Sequence, residues 1–157
     1  MMSNLSKQRF RSAIFIVLLC FILSIRVPVI VIQWEDGKEL LFDSFQLKWI
    51  HSVEKEEWIE LYEREGDELV LKKTYFKTFG AGTPYDEKGT TVKDGYVVMD
   101  IDHTYDELLL TISENVKTTI VLMEKEIPLY KFIESYETAT VSVHRLSVFT
   151  IMWEGLN

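Results

Sequence analysis

Residues 47–62 read LKWIHSVEKEEWIELY, and the reading of this stretch decides the fold. Large apolar and polar residues alternate on both sides of the acidic segment Glu54–Glu57, the pattern of a β-hairpin with one buried face. Phe45, Leu47, Trp49, His51 and Val53 share one face of the first strand. Trp58, Glu60 and Tyr62 share one face of the second. With Glu54–Glu57 as the loop, Val53 lies opposite Trp58, His51 opposite Glu60 and Trp49 opposite Tyr62. The hairpin thus predicts an imidazole and a carboxylate facing each other inside an aromatic frame. An unpaired buried polar group costs a few kcal/mol, so the first reading of the pair is mutual satisfaction; an acid–base or ligand role is the second.

Short strand-like segments continue outward from the hairpin, separated by turn signals. VPVIVIQW is a strand ahead of an EDGK turn, and ELLFDSFQLKWIHSV is extended. GDELVLKKTYFKTF opens on a Gly-Asp turn, and TTVKDGYVVMDI contains an Asp-Gly hairpin signal. DELLLTIS, KTTIVLME and TATVSVHRLSVFTIMW supply further strands. Pro128 in KEIPLYKFIESYE excludes a central strand and suggests a loop with one helical turn. Outside the N-terminus no long segment keeps helical period. The expected fold is all-β, a mainly antiparallel β-sandwich or partly open barrel, preceded by one N-terminal hydrophobic helix.

That N-terminal segment begins with a basic flank, SKQRFRS, followed by the charge-free run Ala13–Ile25. A positive flank before an apolar run is the layout of a signal anchor or signal peptide. The run is short for a span of ~20 residues, and slippage past Arg26 would lengthen it to Ile32. The expected organisation is therefore residues 1–32 as signal anchor or signal peptide and 33–157 as an exported β-rich domain. The basic flank places the N-terminus in the cytoplasm and the domain outside, membrane-held by a single pass or, if the segment is cleaved, secreted. Cys20 is the single cysteine, so no intradomain disulfide can form; lipidation at Cys20 lacks the small residue expected just before the modified position.

All cations of the first 34 residues (Lys7, Arg9, Arg11 and Arg26) stand without an acid. From residue 35 onward 13 Lys and Arg face 25 Asp and Glu, a formal charge of −12. A domain this acidic repels nucleic acid, whose affinity rests on phosphate neutralisation. The three histidines show no zinc spacing, and DIDHTYDE around His103 lacks the glycine-bearing pattern of a calcium loop, so no metal or cofactor is expected. DIDHTYDE reads as a solvated acidic loop. Ser52 adjoins His51, but neighbours on a strand point to opposite faces, which counts against a serine hydrolase.

HSVEK, then Glu60, then FKTFGAGTP resemble the core pattern of an uncharacterised bacterial family, domain-of-unknown-function family 1850. The resemblance covers about residues 27–143. Ile50, Glu56–Glu57 and Thr83 stand where the family usually has Thr, Thr-Pro and Leu. It singles out His51, Ser52, Glu54, Glu60, Phe79, Gly80, Ala81 and Gly82 as a candidate binding or structural polar site. FGAGTP lacks the spacing of a nucleotide loop, so its glycines serve positive φ or close backbone approach. Members are small, exported or membrane-attached, and often encoded beside TAXI-type TRAP transporters. The resemblance therefore implies an accessory or binding module for a solute transporter, with transporter subunits and a small organic solute as partners. The alternatives are an enzyme using His51 and Glu60 as an acid–base pair, and a structural envelope module without a ligand.

Overall fold

The computed structural model describes residues 4–80, 90–123 and 125–155. They divide into two compact units, Val29–His144 on one side and Met1–Pro28 with Arg145–Asn157 on the other.

The larger unit is built from antiparallel strands. β1 (Arg26–Trp34) and β2 (Gly37–Leu41) form a hairpin, and β3 (Phe45–Ile50) and β4 (Glu57–Glu65) form the hairpin that opened the sequence reading. β5 (Glu68–Phe76), β6 (Thr90–Lys93), β7 (Tyr96–Tyr105), β8 (Glu107–Thr111), β9 (Thr119–Leu122), β10 (Lys125–Pro128) and β11 (Thr138–Ser147) follow. They assemble into a four-stranded sheet, β2-β1-β11-β8, and a seven-stranded sheet, β10-β9-β3-β4-β5-β7-β6. Ile30, Ile32, Leu108 and Val141 of the smaller sheet pack with Phe45, Leu47, Tyr62, Leu71 and Ile120 of the larger one. The fold is all-β and sandwich-like, with β2, β8, β10 and β6 as edges rather than a closed barrel. Pro128 ends the edge strand β10 and a single 3₁₀ turn, Leu129–Lys131, follows it, because proline cannot donate to a ladder.

Val29, Ile30, Val31 and Ile32 are buried strand residues, so the expected boundary at 32/33 cuts through β1. A helix slipping past Arg26 to Ile32 is excluded for the same reason: α1 (Asn4–Ser24) stops before β1 begins. His103 also differs from expectation. It lies on β7, exposed and edge-on to Tyr105 with ring centroids 4.7 Å apart, not in an acidic loop.

A double bulge organises the larger sheet. Lys72 is inserted in β5 against β4, and β7 carries an extra residue against β5 beside Asp102, whose φ is +62°. Lys72 Nζ ties the insertion to Asp102 at 2.8 Å and to Glu65 at 2.5 Å. Bulges shift the alternation of the strand that holds them. On β5 the inward residues change from Leu69 and Leu71 to Thr74 and Phe76. Two apolar clusters result, the main core and a second one of Trp58, Phe76, Val97 and Met99, with Trp49 and Ile101 touching both.

The smaller unit contains α1 and α2 (Val148–Glu154), which pack against each other. The expectation of one strand running through Trp153 fails at Ser147. Its hydroxyl accepts from the Thr150 N–H at 3.1 Å and caps α2, and the Val148 N–H donates to the Ile25 carbonyl at 3.0 Å. On α1 the consecutive residues Ile14 to Leu19 are all exposed, from 44% at Leu19 to 67% at Val17, and Phe149, Met152 and Trp153 of α2 are exposed too. Among the described residues no helix is long and apolar enough to cross a membrane.

Candidate functional site

The β3–β4 register differs from the expected one by four residues. Trp49 pairs with Trp58, Leu47 with Glu60 and Phe45 with Tyr62. An even shift leaves every side chain on its face, so the faces hold while the partners change. His51 and Glu60 are therefore not opposite each other, and the expected cross-strand pairing of these two is overturned. The expected four-residue loop is longer because His51 has left the ladder. The His51 N–H donates to the Glu56 carbonyl at 2.8 Å, and the Lys55 N–H donates to the His51 carbonyl at 3.0 Å. Lys55 turns the chain back with φ +58°.

Within this turn the His51 ring stacks on Trp58, with centroids 5.3 Å apart, and its Nδ1 faces the Glu54 carboxylate in direct contact. The Val53 N–H also points at Nδ1, at 3.4 Å, so the turn closes around this ring nitrogen. Trp58 anchors the arrangement. It stacks on Trp49 at 5.9 Å, meets Phe76 at 5.0 Å, and donates from Nε1 to Thr74 Oγ1 at 2.6 Å. Phe79 closes on Phe76 edge-on at 5.2 Å. Gly80 then passes over Glu54. A Cβ at position 80 would lie 2.5 Å from the Glu54 Cδ and 3.0 Å from its Cγ. The glycine is required for space, not for left-handed backbone. Ser52 is exposed in the same turn and makes no hydrogen bond among the described residues. Ala81 and Gly82 lie outside the described residues. The space that His51, Glu54 and Trp58 border is only about 10 Å³, too small for a substrate.

Glu60 belongs to a different place. It lies between the stacked pairs Phe45–Tyr62 and Trp49–Trp58, at the junction of the two apolar clusters. The Tyr62 hydroxyl donates to Glu60 Oε2 at 2.6 Å, and Oε1 has no hydrogen-bond partner among the described residues. Burial raises the Glu60 pKa above its ordinary value, and the Tyr62 hydrogen bond only partly opposes this. Burial also raises the Tyr62 and Tyr105 phenols, and the Glu60 charge adds to both. Glu60, Tyr62, Tyr105 and Glu107 line a cleft of about 450 Å³ with Leu47, Trp49 and the rest of β8.

The candidate residues thus separate. His51, Glu54, Phe79 and Gly80 meet at the end of the larger sheet, while Glu60 faces the cleft. Residues 45–129, more than half of the 157-residue chain, match the family described as a domain of unknown function, DUF1850. The chain belongs to the DUF1850 family. The matched stretch runs from the start of β3 through β10 and so holds the His51–Glu54 turn, Gly80 and every described residue lining the Glu60 cleft. Curated proteins and solved structures yield no match. The sequence reading missed Trp58 as the anchor of His51, and Tyr62 as the partner of Glu60. Tyr62 was findable, since residues two apart on a strand share a face. Tyr105 and Glu107 come from distant strands and carried no local signal.

The raised Glu60 pKa has a measurable consequence. A carboxyl whose folded pKa exceeds its unfolded value contributes stability in full below the unfolded value, and this is lost as pH rises through the folded value. Glu60→Gln keeps an acceptor for Tyr62 and removes the buried charge. Thermal melts should show the variant gaining on the parent as pH rises from the ordinary carboxylate range through the raised Glu60 value. An unchanged difference across that window would mean that Glu60 titrates alike in both states.

Proposed function

We infer that this chain is a membrane-tethered, extracytoplasmic accessory or binding module of a solute transporter. The observation that carries the tether is the exposure of α1. Ile14 to Leu19 occupy every side of the helix, and all of them are exposed. A helix apolar all round has no water-facing side and is stable only when buried in protein or lipid. Phe149, Met152 and Trp153 extend the exposed apolar surface of the same unit, and tryptophan favours the membrane interface. The basic residues before the apolar run favour a cytoplasmic N-terminus and an external C-terminus. The excess of acid from residue 35 onward suits a protein that stays in solution beside the bilayer. The binding role is supported by the cleft between the sheets, whose size falls in the range of small-ligand sites. The assignment of the partner to TRAP transporters of the TAXI type rests on the family resemblance alone.

The test uses the full chain with a reporter fused after Asn157. The fusion should sediment with membranes and resist an alkaline carbonate wash. A reporter active only in the cytoplasm should stay silent. Strong cytoplasmic activity would overturn the external placement, and release by carbonate would overturn the tether. Co-purification from detergent-solubilised membranes with transporter subunits tests the partner.

A further inference from the structure

We propose that the Glu60 cleft binds a small organic cation, an ammonium or quaternary amine held between carboxylates and aromatic rings. This rests on the binding-module reading and adds the chemical class of ligand. The lining has three properties that point the same way. Its charged members are Glu60 and Glu107, with no Lys, Arg or His among the described lining residues. Its aromatic members are Trp49, Tyr62 and Tyr105, and Tyr62 and Tyr105 meet edge to face with centroids 6.2 Å apart, so their rings stand as two walls at an angle. Glu60 has one oxygen engaged by Tyr62 and the other unpartnered, and the Glu107 side chain makes no hydrogen bond or ion pair among the described residues.

A carboxylate half-removed from water favours a ligand that brings positive charge, and aromatic faces attract cations through their negative π-clouds. An anion would meet two negative groups and no cationic side chain among the described lining residues, and the surrounding excess of acid would repel it further. A neutral apolar ligand would leave Glu60 buried and uncompensated. The apolar side chains of Leu47, Leu108 and Val116 suit the alkyl body of an amine. The volume, about 450 Å³, admits a molecule of choline size with room for a longer chain.

The groups facing Glu60 are Tyr62 on its own strand, Tyr105 on β7 and Glu107 on β8. The two phenols stay neutral because their pKa values are raised. Cation binding should therefore follow the ionisation of Glu60 and, secondarily, Glu107. Affinity should fall as pH drops through the raised Glu60 value.

Three probes decide the matter: choline, its uncharged isostere 3,3-dimethylbutan-1-ol, and succinate. Each is titrated into the full chain in detergent, read by calorimetry and by tryptophan fluorescence. Choline should bind, the isostere should bind on the order of tenfold more weakly or not at all, and succinate should be silent. Glu60→Gln, which keeps the Tyr62 hydrogen bond, should weaken choline by about tenfold or more while its thermal melt remains cooperative. Tyr105→Leu should weaken it without changing the pH dependence. Equal binding of choline and the isostere, or binding of succinate, would overturn the cation while leaving a ligand-binding module. Silence toward all three would overturn the cation and the ligand-binding half of the reading together, leaving the membrane tether to its own test.

Discussion

Trp58→Ala should lower the stability of the β-rich unit by about 3–5 kcal/mol, the range for truncating a buried large aromatic residue. The side chain is almost fully buried and touches Trp49, His51 and Phe76 at once. Its removal opens the second apolar cluster, which has four buried members among the described residues. It also removes the stacking surface of His51. Trp58→Phe separates the hydrogen bond from the packing. The ring remains, but the buried Thr74 hydroxyl loses the Nε1 donor that reaches it at 2.6 Å. The expected cost is roughly 1–3 kcal/mol. Denaturant melts of the full chain measure both. A Trp58→Ala variant within about 1 kcal/mol of the parent would mean that this end of the sheet contributes little to folding.

Gly80→Val should destabilise by about 1–3 kcal/mol, through overpacking rather than through backbone conformation. The new Cβ and its methyl groups would occupy the place of the Glu54 carboxyl. Glu54 cannot retreat without giving up its contact with His51 Nδ1. The two positions should therefore couple. In a Glu54→Ala background, Gly80→Val should cost distinctly less, because the carboxyl it collides with is gone. Equal costs in the two backgrounds would show that Gly80 serves some other purpose than room for Glu54.

The two sites differ in how far the sequence revealed them. The motif residues His51 and Glu54 are three apart in one turn, so their meeting was a local matter. They go unpaired in the sequence reading because the period-two pattern carries through Val53, three residues beyond the true end of β3. Nothing in strand periodicity says where a strand stops. Here the stop is set by the contact of His51 with Glu54 and by the left-handed backbone of Lys55, a residue type with no preference for that conformation. Glu60 was correctly placed on the aromatic face and wrongly partnered, since the faces survive an even shift of register and the partners do not. Ser147 shows the same limit in reverse. Val148, Phe149, Thr150 and Ile151 favour extended structure, and the expected strand ran on through them. The hydroxyl cap of Ser147 was the available signal for a helix start, and it outweighed propensity.

By itself the sequence determined the class of fold, the buried face of each core strand, the Asp-Gly turn before β7, the exclusion of the segment at Pro128 from the sheet interior, and the acidity of everything after residue 34; that this segment is an edge strand rather than a loop came from the structure. These follow from period-two alternation, from the conformational limits of proline and glycine, and from counting charges, all properties of a few neighbouring residues. The tertiary structure alone decided the hairpin register, the double bulge at Lys72 and Asp102, and the separation of Glu60 from His51. It also brought Tyr105 and Glu107 to Glu60 across about 45 residues of chain. Those arrangements depend on how two sheets stack and where a bulge lets one of them bend, which is a balance of packing over the whole core and has no counterpart in any local pattern.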